Sequence, residues 1–220
     1  DLSPWLARIG QTFTQRLSVL WGDFAVRFPW LYLDATQSVI LTTETQVLWL
    51  TQLLAQFEQA DAEHILHLQQ RYEIEAQNLN ALAYPVKKMW LKLLTHLPDL
   101  SQQHDDLALH LLVEQFDQDV FYLWFQHQLL KQNPNYMAVE QQLNQFEVQY
   151  PGIPVFTFVR WHIYTATERM EEANQLLDLY PDNILMNYLR VKAALNGNES
   201  LIQQLNSIYE KDTNFIAFKL

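Results

Sequence analysis

The chain has 220 residues, is 49% hydrophobic and carries a formal net charge of −11, enough apolar content for one sizeable helical domain or two small ones. That acidic excess repels phosphate and disfavours a nucleic-acid partner, while the absence of cysteine excludes disulfides, thiolate metal sites and cysteine nucleophiles. Four glycines among abundant Leu, Gln, Glu and Ala disfavour a sheet-rich fold and favour helices joined by short turns.

Ser3-Pro4 reads as a helix start, a capping hydroxyl followed by proline at the first helical position. From there Trp5, Ile9, Phe13, Leu17, Leu20, Trp21, Phe24 and Phe28 fall at three- and four-residue steps and make one apolar stripe, with Arg8, Gln11, Gln15, Arg16 and Asp23 on the opposite face. The stripe predicts a first helix docked on the core. Its alternatives are a helix that follows a removed membrane anchor, or one lying in a membrane interface, for which Lys and Arg are too few. Pro29 ends the helix, and Trp30 to Asp34 predicts a connecting loop packed on the core.

A second helix opens near Thr43, where Gln46 completes a capping box, and runs through Val47, Leu50, Leu53, Leu54 and Phe57. A third runs from Asp61 through Ile65, Leu68, Tyr72, Ile74 and Leu79, stopping before Tyr84-Pro85, and the two predict an antiparallel pair. Val86 to Leu97 reads as a short helix whose Lys87, Lys88 and Lys92 form a solvated basic face. A further helix starts at Ser101 or Asp105 and carries Leu109, Leu112, Val113 and Phe116.

Beyond Asp119 the pattern becomes repetitive. Tyr180-Pro181 repeats Tyr150-Pro151 thirty residues later, and each is followed by an apolar helix, a short polar break and a second, smaller helix. Val139, Leu143, Phe146 and Pro151, and again Tyr164 with Ala173, have the spacing of the signature positions of a tetratricopeptide repeat, which this region resembles. The resemblance covers about Asp119 to Leu220, less than half the chain. It departs from the family at Trp161, where a small residue belongs, and at Pro181, which follows Ala173 one turn early. A third unit, Ile184 to Glu210, turns at Asn196-Gly197-Asn198 and keeps Ile202 and Leu205 in the places of Ala173 and Leu176, and Asn214 to Leu220 reads as the start of another hairpin. The resemblance implies an all-α fold of antiparallel helical hairpins stacked as a tetratricopeptide-like α-solenoid over residues 118–220, with an amino-terminal helical region, residues 1–117, packed on it. It also implies a concave groove for a peptide or protein partner.

A search for chemistry returns little. His64 and His67 share a helical face near Glu63, and His104, Asp105, Asp106 and His110 form a second polar group, but neither matches a metal-binding spacing, so no metal and no cofactor are expected. No G-x-S-x-G occurs, the serines read as caps or turns, and no carboxylate sits in an apolar run that would raise its pKa. Arg160 and Arg190 lie one repeat apart, beside Trp161, Tyr164, Asn187 and Tyr188, which makes these six residues the candidate partner-binding surface. The competing reading pairs each Arg with a local acid such as Glu168 or Glu171.

The expectation is therefore a non-enzymatic scaffold or adaptor that binds a protein or peptide, not nucleic acid, within a bacterial complex associated with the envelope or secretion. The alternative is an accessory helical domain of a membrane-anchored enzyme such as a glycan transferase. Asp1 in place of Met and the missing cysteines lead to the expectation of a lost signal or anchor and a periplasmic or periplasm-facing location, with the cytoplasm as alternative.

Overall fold

Among the described residues every regular element is helical, in keeping with the glycine-poor, leucine-rich composition. The computed structural model describes residues 16–17, 19–35, 41–131, 133–180, 182, 184–195, 200 and 203. Expectations for Ser3 to Phe13, for Pro181 and for almost all of the chain beyond 195 lie outside them. The helices are α1 (residues 19–27), α2 (Pro29–Ala35), α3 (Thr43–Ala55), α4 (Ala62–Ala76), α5 (Tyr84–Leu94), α6 (Ser101–Glu114), α7 (Gln118–Leu130), α8 (Tyr136–Gln149), α9 (Pro154–Ala166), α10 (Met170–Leu177) and α11 (Ile184–Ala194). The chain divides into two compact units, Asp1–Phe116 and Asp117–Leu220.

Side-chain caps set several helix starts. Thr42 accepts from the Thr45 amide, Asp61 from His64, Asp117 from Asp119 and Val120, and Asn135 from Ala138, each satisfying amides that lack a helical acceptor. The cap of α3 is thus Thr42 and not the expected Thr43. Trp30 to Asp34 is not the expected loop either, because Pro29 opens a helix there as well as interrupting α1, and a proline at the first helical position has no amide bond to lose.

In the amino-terminal unit four helices each contribute one ring to a continuous aromatic core. Tyr32 of α2 meets Trp49 of α3 edge-on at 5.1 Å, Trp49 meets Trp90 of α5 at 6.5 Å, and Tyr72 of α4 lies 5.4 Å from Trp90. Burial pushes the Tyr72 hydroxyl up to about 12, helped by the nearby Asp106 charge. The expected α3–α4 hairpin is not the main packing: α3 lies chiefly against α5, α2 packs on α3 and α4, and α6 packs on α5. Lys87 also departs from expectation. It shares the inward face Lys87-Trp90-Leu91-Leu94, is only 2% exposed, and its ammonium pairs with Glu114 of α6, without which a buried charge would be costly.

Helix α1 meets the unit through its small residues. Gly22 and Ala25 are buried, and a Cβ on Gly22 would sit 3.0 Å from the Thr45 methyl, so a larger residue there would have to push the Thr45 side chain back by a few tenths of an ångström. The large apolar side chains of α1 lie elsewhere on its circumference.

The carboxy-terminal unit is built around α9, in which seven residues are buried and none from Pro154 to Thr165 is exposed. Phe121 and Trp124 of α7 meet Phe146 of α8 at 5.5 and 6.4 Å, and Phe121 meets Phe156 of α9 at 5.0 Å. Helix α9 packs against α7, α8 and α10, and α10 against α11. The α9–α10 turn places Glu168 at φ 61°, where the Arg169 amide closes on the Tyr164 carbonyl at 2.8 Å. A β-carbon in this left-handed conformation costs roughly 1–2 kcal/mol, and glycine's greater unfolded-state freedom returns roughly half of that. Glu168→Gly should therefore stabilise the unit by about 0.5–1 kcal/mol in urea melts, and a loss of stability would show that the turn is not strained.

Candidate functional site

The six residues singled out in the sequence lie on α9 and α11, and the structure engages most of them internally. Trp161 and Tyr188 are buried in the core. Arg160 donates to Asn144 Oδ1 at 2.8 Å, pairs with Glu147, and lies 3.6 Å from Glu140, all on α8. Glu140 also receives Arg169 at 2.8 Å, and the Arg169 guanidinium lies 4.0 Å over the Tyr164 ring. Two guanidiniums, two carboxylates and one aromatic face therefore clamp α8, α9 and the start of α10 together.

Arg190 has a different task. It donates to Asn187 Oδ1 at 2.5 Å and to the backbone carbonyl of Leu177, the last residue of α10, with Asp178 at 3.9 Å. A cation at a helix carboxy-terminus satisfies an orphan carbonyl and complements the helix dipole. Both arginines are thus tied to groups near their own helices, but to Glu140, Glu147 and Asp178, not to Glu168 or Glu171.

The second polar group of the sequence reading separates into local contacts. His104 is buried 3.7 Å from Asp105, Asp106 accepts from Gln102 at 2.9 Å, and His110 turns towards Glu114 and Lys87 at 3.7 and 3.5 Å. His64 and His67 instead turn together towards Asp34 on α2, with His67 Nδ1 2.8 Å from Asp34 Oδ1.

Internal engagement of the α9 and α11 residues leaves the described part of the first apolar stripe as the exposed aromatic and aliphatic surface of α1 and α2. Leu20 is 63% exposed, Phe28 and Leu31 are at 51% and 57%, and Leu17 and Trp21 are also exposed. Phe24 bridges them, 5.7 Å from Trp21 and 5.5 Å from Phe28. No family model, curated protein or solved structure matches this chain. The site must be judged on its own chemistry.

That chemistry is apolar. Leu17, Leu20, Trp21, Phe24, Phe28 and Leu31 recur at three- and four-residue steps, so α1 and the start of α2 present them along one line. Arg16, Asp23 and Arg27, all exposed, supply a mixed-charge border. Sequence periodicity located this stripe but assigned it to the core. The missed signal is the run Gly22, Ala25 and Pro29, a second face at helical spacing made of small residues, on which the helix docks. Among the described residues no helix is long and apolar enough to cross a membrane.

Proposed function

We propose that this chain is a non-enzymatic helical interaction module that takes an apolar-faced helix of another protein against the α1–α2 stripe. The observation that carries the reading is the exposure of four large apolar residues of one face, Leu17, Leu20, Trp21 and Phe28, with Leu31 continuing the line on α2. Contiguous exposed apolar surface of this kind marks recognition sites on soluble proteins, and aromatic side chains supply most of the energy there. A linear array at helical spacing suits a partner helix laid along it. A lipid surface suits it less, since two flanking arginines in a chain of net charge −11 attract anionic headgroups poorly.

The carboxy-terminal unit supports the same class of function as a rigid, tetratricopeptide-like stack. Helix α9 packs against α7, α8 and α10, Val139, Leu143, Phe146 and Ala173 at the repeat-spaced positions are buried, and ion pairs fasten α8 to α9 and to the start of α10. Because α9 has no free face, the partner surface is assigned to the amino-terminal unit and not to an inner wall of α9 and α11.

The test is affinity capture from the native cell with the wild-type chain and with Leu20→Glu/Leu31→Glu. Both positions are more than half exposed, so the melting temperature should move by no more than about 2 °C. A partner retained by the wild type should be lost by at least tenfold from the variant, and should cross-link to a photoreactive residue at position 28. Equal retention by both proteins, or cross-links confined to a second copy of this chain, would defeat the reading.

A further inference from the structure

We propose that the helix received by the α1–α2 stripe carries acidic residues along one edge of its apolar face, placed to meet Arg16 and Arg27. The proposal rests on the reading of the stripe as a partner site and adds the partner's charge. The line of Leu17, Leu20, Trp21, Phe24 and Phe28 has two flanks. One is made of Gly22, Ala25 and Pro29, which are buried on the unit and offer a partner nothing. The other holds Arg16, Asp23 and Arg27, all exposed, which follow one another at steps of seven and four residues and so share one edge of the helix. At a rise of about 1.5 Å per residue the two arginines stand roughly 16 Å apart along the axis, and a helix laid on the stripe runs past both.

Neither arginine is spent inside the fold. Among the described residues no carboxylate pairs with Arg16 or Arg27, not even Asp23, which stands one helical turn before Arg27. Two arginines against one aspartate leave this border positive by one charge, in a chain whose net charge is −11. The local sign governs what lies on the stripe, because exposed charges more than about 8 Å apart are largely screened at physiological ionic strength. A membrane meets a whole face of the chain and feels its net charge, whereas a single helix meets only the border beside it. Guanidiniums take carboxylates through two parallel hydrogen bonds, and charge pairs at the rim of an apolar contact choose the partner more than they tighten it. A second copy of α1 fits the border poorly, since it would set four arginines against two aspartates.

Two synthetic helical peptides test the assignment, identical in a leucine face at three- and four-residue steps. One carries glutamate at two positions eleven residues apart on one edge of that face, and the other carries lysine at the same two positions. By fluorescence anisotropy in 50 mM sodium chloride the full chain should bind the glutamate peptide about fivefold more tightly, the effect of exchanging two surface repulsions for two surface pairs. The preference should fall to about twofold or less at 500 mM sodium chloride. Arg16→Glu/Arg27→Glu should invert it with unchanged helical circular dichroism, while the ranking of the two peptides on the wild type depends on no variant folding. Equal affinity for both peptides, a tighter lysine peptide, or a ranking that survives in Arg16→Glu/Arg27→Glu would overturn the charge assignment. Where both peptides are nonetheless lost from Leu20→Glu/Leu31→Glu, the stripe stands and only its charge rule falls. If neither peptide binds the wild type, or both bind Leu20→Glu/Leu31→Glu as tightly as the wild type, the stripe falls as well.

Discussion

Glu75→Ala should destabilise the amino-terminal unit by about 3–5 kcal/mol, the range found when one member of a buried ion pair is removed. The Glu75 carboxylate accepts from Arg71 Nε at 2.8 Å, Trp90 Nε1 at 2.8 Å and Gln46 Nε2 at 3.0 Å, so it joins α3, α4 and α5 at one point. Its side chain is 9% exposed and that of Arg71 15%, so little water replaces what is lost. Truncation strips the acceptor from three donors at once, one of them the indole of Trp90, which is fully buried in the aromatic core. The Arg71 guanidinium, 5.7 Å from the Trp49 ring, would lose its 2.8 Å contact with Glu75. Glu75→Gln should cost less, because an amide oxygen still accepts from Trp90, and Arg71→Met with Glu75→Met should recover part of the loss by removing both charges together. Urea unfolding followed by circular dichroism measures all three. A loss below about 1 kcal/mol for Glu75→Ala would mean that solvent reaches the carboxylate and that the network is not a keystone of the unit.

The same network marks the limit of what a sequence discloses. Helical class, the start of α4 at Asp61, and the burial of Leu50, Leu53, Leu68 and Tyr72 follow from periodicity and capping, which are local properties. Glu75 is invisible at that level, since two of its three donors lie 29 and 15 residues away and only Arg71 is a helical neighbour. Lys87 fails for a related reason: a lysine triplet looks solvated until Glu114, 27 residues later, supplies the partner that permits burial. Trp49 is fully buried, yet it falls between the apolar positions Val47 and Leu50 and is lost in a stripe drawn through the leucines. The first stripe shows the converse, because periodicity reveals which face is apolar but not whether anything covers it. At the six recognition candidates, pairing Arg with a nearby acid was the right kind of expectation with the wrong acids, as Arg160 reaches back to Glu140 and Glu147 of α8 and not forward to Glu168 or Glu171.

Acid should weaken the carboxy-terminal unit through His162, and the onset of that loss identifies it. His162 sits in α9 among Phe158 at 4.6 Å, Trp161 at 5.0 Å and Phe125 at 6.2 Å, and its Nε2 is shut off from solvent without a hydrogen-bond partner. Burial in this apolar setting, with the Lys192 charge nearby, lowers its pKa from 6.5 to about 3. The folded state therefore refuses a proton that the unfolded chain accepts below about pH 6.5. The His162 contribution is complete above that value and is lost by about 1.4 kcal/mol per pH unit as pH falls towards 3. At pH 4.5 the unit should be weaker than at pH 7.5 by about 2–3 kcal/mol on this account alone. The decline should already be visible between pH 6.5 and 5, the range over which the unfolded imidazole takes up a proton that the buried one refuses. His162→Phe, which leaves an aromatic ring in the same apolar setting, should flatten that part of the profile when urea melts are repeated across pH 4.5 to 7.5. If the wild type and His162→Phe decline in parallel, the imidazole takes up its proton as readily folded as unfolded, and α9 must open to solvent in the native state, which would return to it the free face that its packing now denies.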